Sequence, residues 1–183
     1  LLFFFLYGGA EVGVAQLTPI LFVDGRDIAK STVSIWVFIF LASFTGGRMI
    51  FGTFANRFTT ISLMRSTLAI ASVSSFLLWL DIGAIFTIIG LILLGVSFAP
   101  MFAALISETA QRVSKRHAPN AIGFQIGFAG VGIAALPGLA GILAENIDLE
   151  IIGPFLTANI TLMFAVYEII LWRERQAPQP VPV

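Results

Sequence analysis

Glu11 is the residue with the most chemical consequence, an acid near the middle of the apolar run 1–23. About 20 apolar residues rising ~1.5 Å each cross a hydrocarbon core of ~30 Å, and Glu11 falls ~15 Å along that path, close to the midplane. A carboxylate turned to lipid at that depth costs ~3 kcal/mol on insertion scales, so it must face protein or water. At 3.6 residues per turn Tyr7, Glu11, Ala15 and Thr18 share one helix face, aligning a phenol, a carboxylate and a hydroxyl beside a small residue. Gln16 lies around the helix from that stripe, toward a neighbour. Farther along, Gln125 shares a face with Ala129 and Gly132, and Asn159 sits inside the last apolar run. For these two amides, hydrogen bonds between helices and contact with a solute are both natural roles. For Glu11 the alternatives are a protonated structural acid and a cavity group that binds a polar solute or exchanges a proton, since desolvation disfavours the charged form.

Other chemistry is poorly provided for. The chain has no cysteine and a single histidine, His117, placed in a basic loop, so neither thiolate chemistry nor a histidine metal cluster can be assembled. No cofactor is implied. Gly95-Val96-Ser97 offers a membrane hydrolase a serine but no base at its depth, and a nucleophile without its base is not a site. The sequence therefore reads as that of a non-enzyme.

These groups must be positioned by an all-α membrane protein. Of 183 residues, 58% are hydrophobic and 11% charged, whereas soluble domains carry roughly 25% charged residues. The net charge of zero argues against a nucleic-acid partner. Six apolar stretches are separated by short polar breaks, at about 1–23, 31–54, 60–80, 83–106, 121–143 and 152–172. Residues 1–175 are expected to form one six-helix transmembrane bundle, with 176–183 a disordered, proline-rich cytoplasmic tail. The start on Leu inside an apolar run reads as a cut end, so a longer parent protein is expected.

Charge at the breaks sets the orientation. Arg48, Arg57 and Arg65 flank the second break without an acid, Arg112, Lys115 and Arg116 outnumber Glu108 at the fourth, and Arg173 and Arg175 outnumber Glu174 at the end. The alternate breaks hold Asp24, Asp27, Asp81, Glu145, Asp148 and Glu150, against only Arg26 and Lys30. Positive residues stay inside, so both termini are expected in the cytoplasm, as in a bacterial inner membrane protein. Arg112, Lys115 and Arg116 also suit anionic membrane lipid.

Packing signals accompany the spans. Gly9/Gly13 and Gly123/Gly127 are small-residue pairs that let helices approach, and Gly46, Gly47 and Gly52 cluster in the second span. Pro19, Pro100 and Pro137 bend the first, fourth and fifth. The first and fourth spans echo each other, both interrupted by glycine and closing on proline, as corresponding helices of two three-helix repeats would.

The stretch Gly46-Gly47-Arg48-Met49-Ile50-Phe51-Gly52-Thr53-Phe54-Ala55-Asn56-Arg57-Phe58 resembles the Gly-Arg-x3-Gly-x3-Asp-Arg-Phe signature of the major facilitator superfamily. Phe98-Ala99-Pro100-Met101-Phe102 and Asn120-Ala121-Ile122-Gly123-Phe124-Gln125 resemble the fourth and fifth helices of its carboxy-terminal half, in fucose-permease-like and related porters. The resemblance implies a six-helix half built from two three-helix repeats, with the first and fourth helices on a central cavity and the third and sixth toward lipid. It implies a cytoplasmic gate at Gly47, Arg48, Gly52, Asn56 and Arg57, weakened because Asn56 replaces the usual acid. The function it implies is secondary transport of a small polar solute, sugar-like or drug-like, by rocking against an amino-terminal six-helix bundle. The proton is the coupling ion considered. A stand-alone six-helix protein that assembles with a second copy as an oligomeric channel or scaffold is the alternative. On the first reading, Tyr7, Glu11, Gln16, Thr18, Gln125 and Asn159 are the candidates for solute and proton contact.

Overall fold

The computed structural model describes residues 1–54, 59–114 and 116–176. Six helices in it are long and apolar enough to cross a membrane. They are α1 (Leu2–Ile20, continued by a π-helical turn Leu21–Gly25), α2 (Lys30–Phe54), α3 (Thr60–Leu80), α4 (Ala84–Arg112), α5 (Ala118–Asn146) and α6 (Ile152–Gln176). No strand occurs among the described residues.

The starts and stops have local causes. Thr59 caps α3 by accepting from the Ser62 N–H at 3.3 Å, and Pro119 sits in the first turn of α5, where its missing N–H costs nothing. Asp81 ends α3 in the left-handed region, with φ 48°, and Gly83 follows at φ 131°, a conformation open to glycine. Pro19 lies just before the π-helical turn of α1, where the regular backbone ladder has lost a donor. Two expected boundaries are corrected. The fourth helix runs on through the polar residues to Arg112, which meets Glu108 one turn earlier at 3.5 Å and Glu174 of α6. The sixth continues through Arg175 to Gln176, so that residue is helical rather than tail. Good helix formers without a glycine or proline stop carry both helices past their apolar ends. Residues 177–183 of the expected tail lie outside the described residues.

The main packed pairs are α1 with α5, α2 with α4, α3 with both α4 and α6, and α1 with α6. Exchanging each helix for the one three places along the chain leaves this set unchanged: α1–α5 becomes α4–α2, α3–α4 becomes α6–α1, and α3–α6 maps onto itself. Helices α1 and α4 are the most buried, α2 and α5 the least.

Glycines set the closest approaches. A Cβ on Gly132 of α5 would collide with the Phe5 carbonyl of α1, and one on Gly8 with the Ala129 carbonyl. At the equivalent α2–α4 crossing, a Cβ on Gly95 would lie 2.6 Å from the Phe40 carbonyl oxygen and one on Gly47 2.7 Å from the Ala99 Cβ. With no hydrophobic drive between helices in lipid, this close packing is what holds them. Of the expected pairs, Gly9 meets Leu136 and Gly13 meets Leu156, whereas Gly46, Gly52, Gly123 and Gly127 face open space.

One residue closes the end of the bundle that carries the acidic breaks. The Arg26 side chain is only 5% exposed. It makes two 2.8 Å hydrogen bonds to Glu150, donates to the Leu78 and Trp79 carbonyls at 3.1 and 3.2 Å, and pairs with Asp81 at 3.2 Å. It thus satisfies the last carbonyls of α3 while joining the α1–α2, α3–α4 and α5–α6 connections. Hydrogen bonding to Glu150 pushes its pKa above the ordinary arginine value against the opposing effect of burial, so it stays charged. The opposite end is tied by half-exposed pairs that solvent screens, Arg65 with Glu168 (Nε to Oε1 at 2.5 Å) and Arg112 with Glu174.

Gly132→Ala should lower the detergent melting temperature measurably, since overpacking against backbone costs about 1–3 kcal/mol, while Gly127→Ala should leave it unchanged. Arg26→Met should destabilise by about 2 kcal/mol or more, because it removes the partner of two helix carbonyls and two carboxylates. Arg26→Lys should recover only part, as an ammonium lacks the planar fork. Both pairs are read by thermal size-exclusion assays.

Candidate functional site

Along α1, residues Glu11, Val12, Ala15, Gln16 and Pro19 form a strip that the other helices leave uncovered or only partly covered. Glu11 stands on it with its side chain 25% exposed. From α2, Arg48 brings a guanidinium nitrogen to 4.0 Å from the Glu11 carboxylate, an ion pair too long for a hydrogen bond. The guanidinium carbon lies over the Phe44 ring, 4.1 Å from its centre, and half of the side chain is exposed. Arg48 starts six residues, roughly 9 Å, before the C-terminal end of α2, and helical side chains lean toward the N-terminus, here toward the middle of the helix. That lean lets it meet an acid on the first helix.

Beneath the pair lies an aromatic floor. Tyr7 is buried, its ring 6.1 Å from those of Phe98 and Phe102 in α4, and its hydroxyl donates to the Phe98 carbonyl at 3.4 Å. The Tyr7 phenol is within electrostatic reach of both Glu11 and Arg48. Beside Arg48 opens a cavity of about 760 Å³ between α2, the start of α3 and the C-terminal half of α4, bounded by Phe51, Leu63, Pro100, Phe102, Ser107 and Gln111 among others. It lies within the usual size range of small-molecule sites.

The other candidates are distributed differently. Thr18, expected on the Glu11 face, is buried and donates to the Val14 carbonyl of its own helix at 2.6 Å. It borders a void of about 10 Å³ among Leu21, Ser75, Leu78 and Leu94. A helix crossing its neighbours obliquely shows one stripe to open space at mid-depth and to packed side chains nearer its end, so sharing a face did not bring Thr18 to Glu11. Gln16 is exposed instead and joins the Glu11 strip. Gln125 donates to the Thr109 hydroxyl of α4 at 2.8 Å and borders a separate cavity of about 440 Å³ with Glu108, Arg112 and Tyr167. Asn159 donates to the Leu6 carbonyl of α1 at 3.3 Å. Both amides join helices and stand apart from the Glu11 strip. Gly47 is spent on the α2–α4 contact, Gly52 borders the larger cavity, and Asn56 and Arg57 lie outside the described residues. Ser97 is buried, with Gly95 beside it packed on α2.

Sequence reasoning read Glu11 and Arg48 separately, one as a cavity acid and one as part of a gate motif. The missed signal was their shared predicament, since each is an unmatched charge well inside an apolar span. No protein-family model matches the chain, nor does any curated protein or solved structure.

The uncovered strip has a direct check, because the chain has no native cysteine. Gln16→Cys should react readily with a membrane-impermeant thiol reagent, and Thr18→Cys should stay unlabelled until the protein is denatured. Equal labelling of the two would remove the distinction between the strip and the packed face.

Proposed function

We propose that the chain is the carboxy-terminal six-helix half of a major facilitator superfamily secondary transporter, moving a small polar solute by alternating access against an amino-terminal partner bundle. The observation that carries this reading is the Glu11–Arg48 pair, two charges at membrane depth on an uncovered strip beside a cavity of about 760 Å³. A purely structural acid would be expected sealed and fully hydrogen-bonded. Here the carboxylate is a quarter exposed and its cation half exposed, at a distance that leaves hydrogen-bonding capacity open on both. Ionisable groups so placed mark solute and ion pathways.

Two further features support the architecture. The packed pairs survive exchange of each helix with the one three places on, as two three-helix repeats require, and glycines mark both equivalent crossings. The two least buried helices, α2 and α5, carry bare glycines outward, which suits a packed helical partner better than lipid. On this reading the basic breaks and both termini lie in the cytoplasm, in a bacterial inner membrane, and the chain performs no enzymatic reaction. The bare α2 and α5 faces also favour one other reading, a second copy of this chain forming an oligomeric channel or scaffold. The mass of the detergent-solubilised particle separates one copy from two.

In proteoliposomes holding the complete transporter, Glu11→Gln should cut proton-driven uptake by roughly tenfold or more, the equivalent of about 1.4 kcal/mol, with membrane insertion intact. Unchanged uptake and pH dependence would remove Glu11 from the transport step.

A further inference from the structure

The cavity of about 440 Å³ stands apart from the Glu11 strip, and two polar atoms of its lining side chains find no partner among the described residues. It opens between the starts of α1 and α5 and the C-terminal halves of α4 and α6, with apolar walls of Phe3, Phe4, Leu105, Phe124 and Ile170. Tyr167 borders it at 2% exposure, and its buried hydroxyl is one of the two unpartnered atoms. The phenol is within electrostatic reach of Glu108 but outside ordinary hydrogen-bond geometry. Gln125 supplies the other. The Thr109 hydroxyl donates its one proton to the Leu105 carbonyl at 3.0 Å, so toward Gln125 it can only accept, at 2.8 Å. That fixes the amide nitrogen on Thr109 and leaves Gln125 Oε1 buried without a donor. Glu108 is a third acceptor on the same cavity, its side chain 15% exposed. It shares Arg112 with Glu174 and holds the longer contact, at 3.5 Å, so one guanidinium serves two carboxylates.

We propose that this cavity binds a primary ammonium group carried on an apolar or aromatic body. An ammonium has three N–H donors, and the cavity sets three oxygens to receive them, on Glu108, Gln125 and Tyr167. The carboxylate supplies the charge match. The amide and phenol oxygens lie just beneath the wall, sheltered from water, so the head engages Glu108 first and small rotations of the other two complete the set. The phenol accepts on its oxygen and keeps its own O–H to turn toward Glu108. The body of the ligand rests on Phe3, Phe4 and Phe124. Other ligands fit less well. A bare metal ion leaves most of a cavity of small-molecule size unfilled. An anion meets a carboxylate where it needs a donor, and a quaternary ammonium has the charge without an N–H. The site holds whether or not the bundle transports. A ligand seated there touches α1, α4, α5 and α6 together, at the end opposite Arg26, and braces helices that are otherwise tied by solvent-screened bridges.

The test is calorimetric titration of phenethylamine, charged at neutral pH as lysine is, into the full chain in phosphatidylcholine nanodiscs, with empty nanodiscs to subtract partitioning into lipid. Two comparison ligands keep the body, 2-phenylethanol without the charge and trimethylated phenethylammonium without the N–H donors. The amine should bind saturably and raise the melting temperature. Both comparisons should bind at least about tenfold more weakly, the equivalent of about 1.4 kcal/mol. Tyr167→Phe should weaken amine binding about threefold or more yet leave the unliganded protein at least as stable, because the deleted hydroxyl is buried and unpartnered. Glu108→Gln should weaken it about tenfold or more. No amine binding, or equal binding of the alcohol or the trimethylated compound, would overturn the proposal without relying on any variant. Binding indifferent to both Tyr167→Phe and Glu108→Gln would also overturn it. So would binding lost in Glu11→Gln but kept in Tyr167→Phe, which would move the ammonium to the strip. Phosphatidylethanolamine nanodiscs then name the source of the head: amine binding lost there assigns it to the lipid, amine binding kept assigns it to a free amine, and both results uphold the ammonium site.

Discussion

A membrane interior supplies no water to satisfy a charge, and this constraint explains the placing of nearly every polar group in the bundle. Glu11 and Arg48 answer it by meeting across α1 and α2. At the two ends of the bundle Arg65 pairs with Glu168 across α3 and α6, and Arg26 meets two carboxylates and two helix carbonyls. Gln125 and Asn159 bind a hydroxyl and a carbonyl of neighbouring helices. What distinguishes the first pair from the other ion pairs named is how loosely its charges meet; Gln125 Oε1 and Asn159 Oδ1 are also buried without a partner among the described residues. The Arg26 contacts lie between 2.8 and 3.2 Å, whereas Glu11 and Arg48 stand 4.0 Å apart, both open to the outside of the bundle.

Close backbone approach is the second organising feature. In water, an apolar face would bring two helices together; in lipid it cannot, because acyl chains are as apolar as leucine. Glycines at the α1–α5 and α2–α4 crossings let dispersion contacts accumulate instead, and the aromatic cluster of Tyr7, Phe98 and Phe102 fills the space between α1 and α4.

The six spans and most of their ends were legible because apolar length is a strong signal, and the third was read to the residue. The ends of α4 and α6 were not, because a helix can outlast its apolar run when polar helix formers pair across to a neighbour, as Arg112 does with Glu174. Helical periodicity put Tyr7, Glu11 and Thr18 on one stripe, but tertiary crossing decides which part of a stripe is covered, and it buried Thr18 while leaving Gln16 open. The Gly123/Gly127 spacing pointed to close helix packing, but within the bundle both glycines meet nothing. The Arg26 node was invisible in sequence, where its partners are more than 50 residues away.

That node has a mechanical corollary. A single guanidinium fastens three inter-helix connections at one end, whereas the opposite end relies on weaker, solvent-screened bridges and contains the larger voids. A bundle pinned in this way behaves as a set of levers with a common fulcrum. Helices of 25 to 29 residues extend roughly 40 Å from it, so a tilt of a few degrees that barely disturbs the pinned end displaces the far tips by ångströms.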